Sequence, residues 1–202
     1  MIQTNNNHFA EVIESSLHNF KAQAWQWDAP PAFGSLVTIQ DGQKTIFALV
    51  YQIETGSMDP IHYPFAYKKT HEELLKEQPQ IFEFLKTTFS GLIVGYRSHG
   101  RIHYLMPSEP PKIHAFISTA SSELAKEFFS NPAYLNLIFG CSQHVTALDE
   151  LLLATLKQQA SLDILSSELL QEFTETFSLL SGNDYRRLKL FLKRAQPLFE
   201  YK

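Results

Sequence analysis

Ser35–Thr55 reads SLVTIQDGQKTIFALVYQIET. Two runs of β-branched and apolar residues flank Asp41-Gly42, a pair that tolerates the positive φ of a tight hairpin. In the first run Val37 and Ile39 share one face, and Leu36 and Thr38 the other. The second run is apolar on both faces, with Phe47, Leu49, Tyr51 and Ile53 opposed by Ile46, Ala48 and Val50. A strand of this kind is buried twice: one side fills a barrel and the other is covered by helices.

The same pattern extends back towards the N-terminus. Ala10–Ser15 and Phe20–Trp27 read as strands, and Gly34 opens the Ser35–Gln40 strand before Lys44–Thr55. Lys21, Gln23, Trp25 and Trp27 alternate with Ala22 and Ala24. The prolines of Asp28-Ala-Pro-Pro31 take the chain out of the sheet, because proline donates no ladder bond. These short segments read as the opening of a small β-barrel, with Trp25 and Trp27 in its wall or against helices. Met1–His8, polar and Asn-rich, reads as a frayed tail.

Beyond Thr55 the loop to Tyr67 is broken by Asp59-Pro60 and Tyr63-Pro64. It holds Met58, Ile61, Tyr63, Phe65 and Tyr67, which form either a recognition surface or a plug for one barrel end. Thr70-His-Glu-Glu73 is a capping box. It predicts a helix from about His71, interrupted at Pro79 and continued by a stripe of Ile81, Phe82, Phe84, Leu85 and Phe89. Residues 70–89 are therefore expected as a helical insertion. Strands resume at Gly91–Tyr96 and, after the Ser98-His99-Gly100 turn, at Arg101–Leu105; Lys112–Ile117 is a further strand.

Past Ser118 the apolar period becomes helical. Leu124, Phe128 and Phe129 form one stripe. Asn131-Pro132 and Thr146-x-x-Asp149 are expected as helix starts. Leu148, Leu151, Leu152, Thr155 and Leu156 face inward. Leu169, Phe173, Phe177 and Leu180 lead to Gly182 as a C′ residue, and Asn183 is expected to cap a last helix over 184–197. The fold class is thus α+β: a barrel over 9–118 with a helical insertion, then an all-helical part over 119–202.

The first strands resemble the HAS barrel, the small β-barrel at the front of HerA-type DNA-translocating ATPases and of ATP-synthase catalytic subunits. The resemblance rests on Val12-Ile13-Glu14-Ser15-Ser16, Phe20-Lys-Ala22, Phe33-Gly34-Ser-Leu-Val37 and Ile46-Phe-Ala-Leu-Val50-Tyr-Gln-Ile53. It covers residues 10–55 closely and 90–117 loosely. It departs from the family where a glycine commonly precedes the central valine of the fourth strand; Phe47-Ala48 stands there. The resemblance implies a module that contacts neighbouring subunits or partner proteins, while a separate P-loop domain does the chemistry. No G-x-x-x-x-G-K-[ST] occurs in this sequence, and Gly42-Gln43-Lys44-Thr45 lacks the spacing to cradle a phosphate.

Composition bounds the remaining readings. The 202 residues are 44% hydrophobic and 19% charged, with a net charge of −4, which argues against overall nucleic-acid affinity. A single cysteine, Cys141, suits a reducing compartment. No secretory signal pattern or bilayer-length apolar run is visible, so a cytoplasmic protein without a membrane partner is expected.

Catalytic patterns are not evident. The eight histidines show no zinc spacing, and Cys141, at a helix C-terminal end, lies where the dipole disfavours a thiolate. No metal, nucleotide or other cofactor is expected. The clearest charge bias is in the last helix: Arg186, Arg187, Lys189, Lys193 and Arg194 among Tyr185, Leu188 and Leu192. The sequence is read as a non-enzymatic interaction or assembly module that meets a protein partner or itself. The contact residues are expected to be Met58, Tyr63, Phe65 and Tyr67 with those five basic residues. Two alternatives stand: a nucleic-acid-processing accessory factor using the basic helix, or an enzyme with a pocket between barrel and helices drawing on Tyr63, His99 and Arg101.

Overall fold

The computed structural model describes residues 8–59 and 65–198. It has an α+β architecture. The strands are β1 (His8–Ser15), β2 (Asn19–Ala24), β3 (Leu36–Asp41), β4 (Lys44–Ser57), β5 (Leu85–Ser98), β6 (Arg101–His103) and β7 (Phe116–Thr119). All pairings are antiparallel, in the order β2-β1-β7-β3-β4-β5-β6, and β2 also pairs with β5. That last pairing, Asn19↔Leu92 through Gln23↔Thr88, closes six strands into a barrel and leaves β6 appended to β5.

The barrel interior is filled by alternate residues: Val12, Phe20, Ala22, Val37, Ile39, Ile46, Ala48, Val50, Phe89, Ile93 and Ile117 form one buried cluster with Ala10. The outward residues of the same central strands, Leu36, Phe47, Leu49, Leu92 and Val94, belong to a second cluster with the helices. The two-faced burial expected of Ile46–Val50 is therefore present. Its parity breaks one step later. A bulge lies between Val50 and Gln52, so Ile53 packs with the barrel interior instead of following Tyr51 outward.

The helices are α1 (His71–Glu77), α2 (Gln80–Glu83), α3 (Ser122–Phe129), α4 (Tyr134–Gly140), α5 (Leu148–Ser161), α6 (Ser167–Leu180) and α7 (Tyr185–Ala195). The α1 capping box forms on both sides: the Thr70 hydroxyl accepts from the Glu73 amide, and the Glu73 carboxylate accepts from the Thr70 amide. The Thr70 amide, and after it the Thr70 hydroxyl, hold the Glu73 carboxyl below its usual range. The inserted helical stretch is shorter than expected. Helix α2 stops at Glu83 and Leu85 already begins β5, so Leu85 and Phe89 are strand residues. Thr87 and Thr88 favour the extended backbone, and the Thr87 hydroxyl meets that of Thr55 across the ladder at 2.7 Å.

Several boundaries also move. β2 ends at Ala24, before both tryptophans, and β6 ends at His103. The last barrel strand is Phe116–Thr119, later than 112–117, because His114 adopts a positive φ of 66° that breaks regular extension. Asn131 caps a turn through the Ala133 amide, and α4 begins at Tyr134. Thr146 does not cap α5, whose N-cap is Ala147. Asp184, and not Asn183, caps α7 by accepting from the Arg187 amide. Asn183 instead takes a positive φ of 60° next to Gly182, and its amide bonds to the Ser178 carbonyl.

Barrel and helices meet closely. A Cβ at Gly34 would lie 2.3 Å from the Ala154 Cβ of α5, and Gly34 has a φ of +76°. Only glycine supplies that conformation in that space. Phe128 packs on Phe47 of β4 with ring centres 4.9 Å apart, joining α3 to the barrel wall.

Candidate functional site

Two surface features bring together residues with interaction chemistry. The first is a groove of about 480 Å³ where β2 gives out, lined by Gln23–Asp28, Met58, and Phe82, Glu83, Leu85 and Lys86. The Trp27 ring stacks on Phe82 at 5.7 Å, and the Thr87 hydroxyl donates to the Trp27 carbonyl. Trp25 is 54% exposed and presents its edge to Phe116 of β7 at 5.6 Å. His8 packs on the same Phe116 ring. An aromatic surface thus runs from β7 past both tryptophans to α2. Its charged rim is Asp28 and Glu83 against Lys86.

Of the expected loop residues, Met58 lines this groove. Phe65 and Tyr67 pack on one another with ring centres 4.3 Å apart and are not among its lining residues. Tyr63 lies outside the described residues. The sequence reading missed the exposure of Trp25, because it continued β2 to Trp27. The prolines at 30 and 31 require the strand to end before them without fixing its last residue; β2 stops at Ala24, which leaves Trp25 exposed and Trp27 stacked on Phe82.

The second feature is the outward side of α7. The spacing buries Leu188, Phe191 and Ala195 against the other helices and leaves Arg186, Lys189, Leu190, Lys193 and Arg194 exposed. The five cations are not equivalent. Arg187 is drawn inward: its Nε and Nη2 donate to Asp149 Oδ1 at 3.1 and 2.6 Å, and its guanidinium lies over the Phe139 and Phe177 rings. Arg194 pairs with Glu150 of the same α5 turn. Among the described residues Arg186, Lys189 and Lys193 have no ion-pair partner. A cleft of about 580 Å³ is lined by Arg186 and Lys193 together with Asp149, Asp184 and Leu190.

Reactive side chains are few and quiet. Cys141 ends α4, buried, with Sγ 3.7 Å from His18 Nδ1 on the β1–β2 connection, and the His18 ring stacks on His144 at 5.7 Å. Burial pushes the Cys141 thiol up, away from the reactive thiolate. Tyr134, fully buried, accepts a hydrogen bond from Gln159 at 2.9 Å, and burial raises its hydroxyl pKa. Tyr104 donates to the Phe128 carbonyl, and desolvation with the nearby Glu127 charge pushes it up to about 12. These hydroxyls hold the core together and stay protonated. His99 and Arg101 sit exposed at the β5–β6 turn, where His99 has a φ of 50° and Gly100 of 75°. Among the described residues no group of three or more His, Cys, Asp or Glu side chains is placed to hold a metal ion, and no helix is long and apolar enough to cross a membrane.

No protein-family model matches this chain, and no curated protein matches it.

Proposed function

We propose that the chain is a non-enzymatic interaction or assembly module, built on a barrel of the HAS type and a following set of helices, that contacts a protein partner or another copy of itself. The observation that carries this reading is the aromatic groove. Trp25 and Trp27 stand clear of the end of β2, with Met58 and Phe82 completing the walls. An exposed indole, here Trp25, at the wall of a concave surface is a usual anchor of protein contacts. The rim favours a partner segment that inserts an apolar side chain beside a cation, since two carboxylates face one lysine there. The basic helix supports a nucleic-acid role less well than its composition suggests, because two of its five cations are paired within the chain.

Affinity capture with the native chain and with Trp25→Ala, run in parallel, tests the reading. A protein retained by the native chain and lost from the variant, with unchanged circular dichroism, supports it. A chain that retains the same proteins with and without the Trp25 indole overturns the groove as the contact.

A further inference from the structure

Helices α6 and α7 are joined by the short turn Ser181–Asp184 and packed through Phe173, Phe177 and Phe191. Their outward sides carry opposite charge. On α6, Glu168, Glu172 and Glu175 are exposed at helical spacing, followed by Leu179, which is 71% exposed. On α7, Arg186, Lys189 and Lys193 carry that spacing in reverse order, three residues and then four, with Leu190 65% exposed among them and Tyr185 at its start. The macrodipole explains Glu168 near the start of α6 and Lys193 near the end of α7. It does not explain Arg186, a cation in the first turn of α7, nor Glu172 and Glu175 further along α6. No ion pair within the described residues uses these six groups.

We infer that the α6–α7 hairpin is a self-complementary surface on which a second copy of this chain docks, α6 of each copy lying antiparallel on α7 of the other. The connection Ser181–Asp184 sets the level of α6 against α7, and a two-fold axis along the hairpin keeps it, so Glu172 and Glu175 fall opposite Lys193 and Lys189. Leu179 then comes to the end of α7 that holds Tyr185. A two-fold axis along the hairpin makes both contacts at once, as an isologous dimer requires. Pairing α7 with α7 sets cations on cations and is disfavoured. A nucleic acid suits the face poorly, because three phosphate contacts supply little affinity at physiological salt, and Asp149 and Asp184 line the same cleft. The inference rests on the assembly reading and not on the groove.

Sedimentation equilibrium of the full chain tests it. The native protein is expected to move from monomer to dimer with concentration, and back when salt is raised to about 0.5 M, where screening acts over roughly 4 Å. Lys189→Glu with Lys193→Glu, and separately Glu172→Lys with Glu175→Lys, should each weaken association on the order of a hundredfold. An equimolar mixture of the two variants should associate again, as should one chain carrying all four changes. Circular dichroism confirms that the variants remain folded. A native chain that is monomeric at every concentration in low salt overturns the inference, yet leaves Trp25-dependent capture of a partner intact. Association that survives either charge reversal also overturns it. So does a single-chain quadruple variant that stays monomeric.

Discussion

The two flanks of the barrel are built from the same kind of strand and have opposite fates. On the β3–β4–β5 side, Leu36, Phe47, Leu49, Leu92 and Val94 point outward and are sealed under the helices. On the β2–β1–β7 side, the outward residues are half-exposed or exposed, among them Lys21, Gln23, Glu11, Ile13 and Phe116. The difference shows where a small barrel draws its stability. Its interior cluster is narrow, with alanine at three of its positions. The larger aromatic packing lies outside the wall, between β4 and α3–α7.

The largest effect is expected where that outer seam is thickest. Phe128→Ala removes a fully buried ring that touches Phe47, Tyr104, Phe129 and Tyr134. It should lower stability by about 3–5 kcal/mol in a denaturant titration. A loss below about 1 kcal/mol would mean that barrel and helices are not one cooperative unit. Next is Gly34→Ala, which meets Ala154 in space and an unfavourable φ in backbone, and should cost about 2 kcal/mol. Combining it with Ala154→Gly should recover the steric part, read as a favourable coupling in a double-mutant cycle. The smallest effect is on the open flank: Trp25→Ala should change the unfolding free energy by less than about 0.5 kcal/mol in the same titration. A large loss there would erase the contrast between the flanks and make Trp25 a structural residue.

The covered flank was the legible one. An uninterrupted Ile46–Val50 run admits no solvent-facing side, so barrel and cover both follow from five residues. The 81–89 stretch misled for a physical reason: Phe82, Leu85 and Phe89 satisfy a helical spacing as well as they satisfy a strand joined to a short helix. The β-branched pair Thr87-Thr88 held the discriminating information. The bulge after Val50 left no trace in the pattern, because its effect is a change of parity that only the β5 register reveals. For the surfaces, the basic character of α7 was readable. The inward turn of Arg187 and the pairing of Arg194 were not, since Asp149 and Glu150 lie far away in sequence and reach them through tertiary packing. Trp25 and Trp27 were read as wall or helix-packing residues; Trp27 does pack on Phe82 of α2, while the exposure of Trp25 was missed because the strand's end was placed too late.

Closure of the barrel has a consequence for how the molecule is made. β1 leaves the ribosome about a hundred residues before β7, one of its two neighbours, whose Phe116 and Ile117 pair with Glu11 and Ala10. Until that strand has been synthesised, the early strands wait with an unsatisfied seam, and closing it joins chain segments far apart in sequence, which is slow. The late-emerging helices then arrive at a wall that is already formed, so the order of translation matches the order in which each layer finds something to rest on.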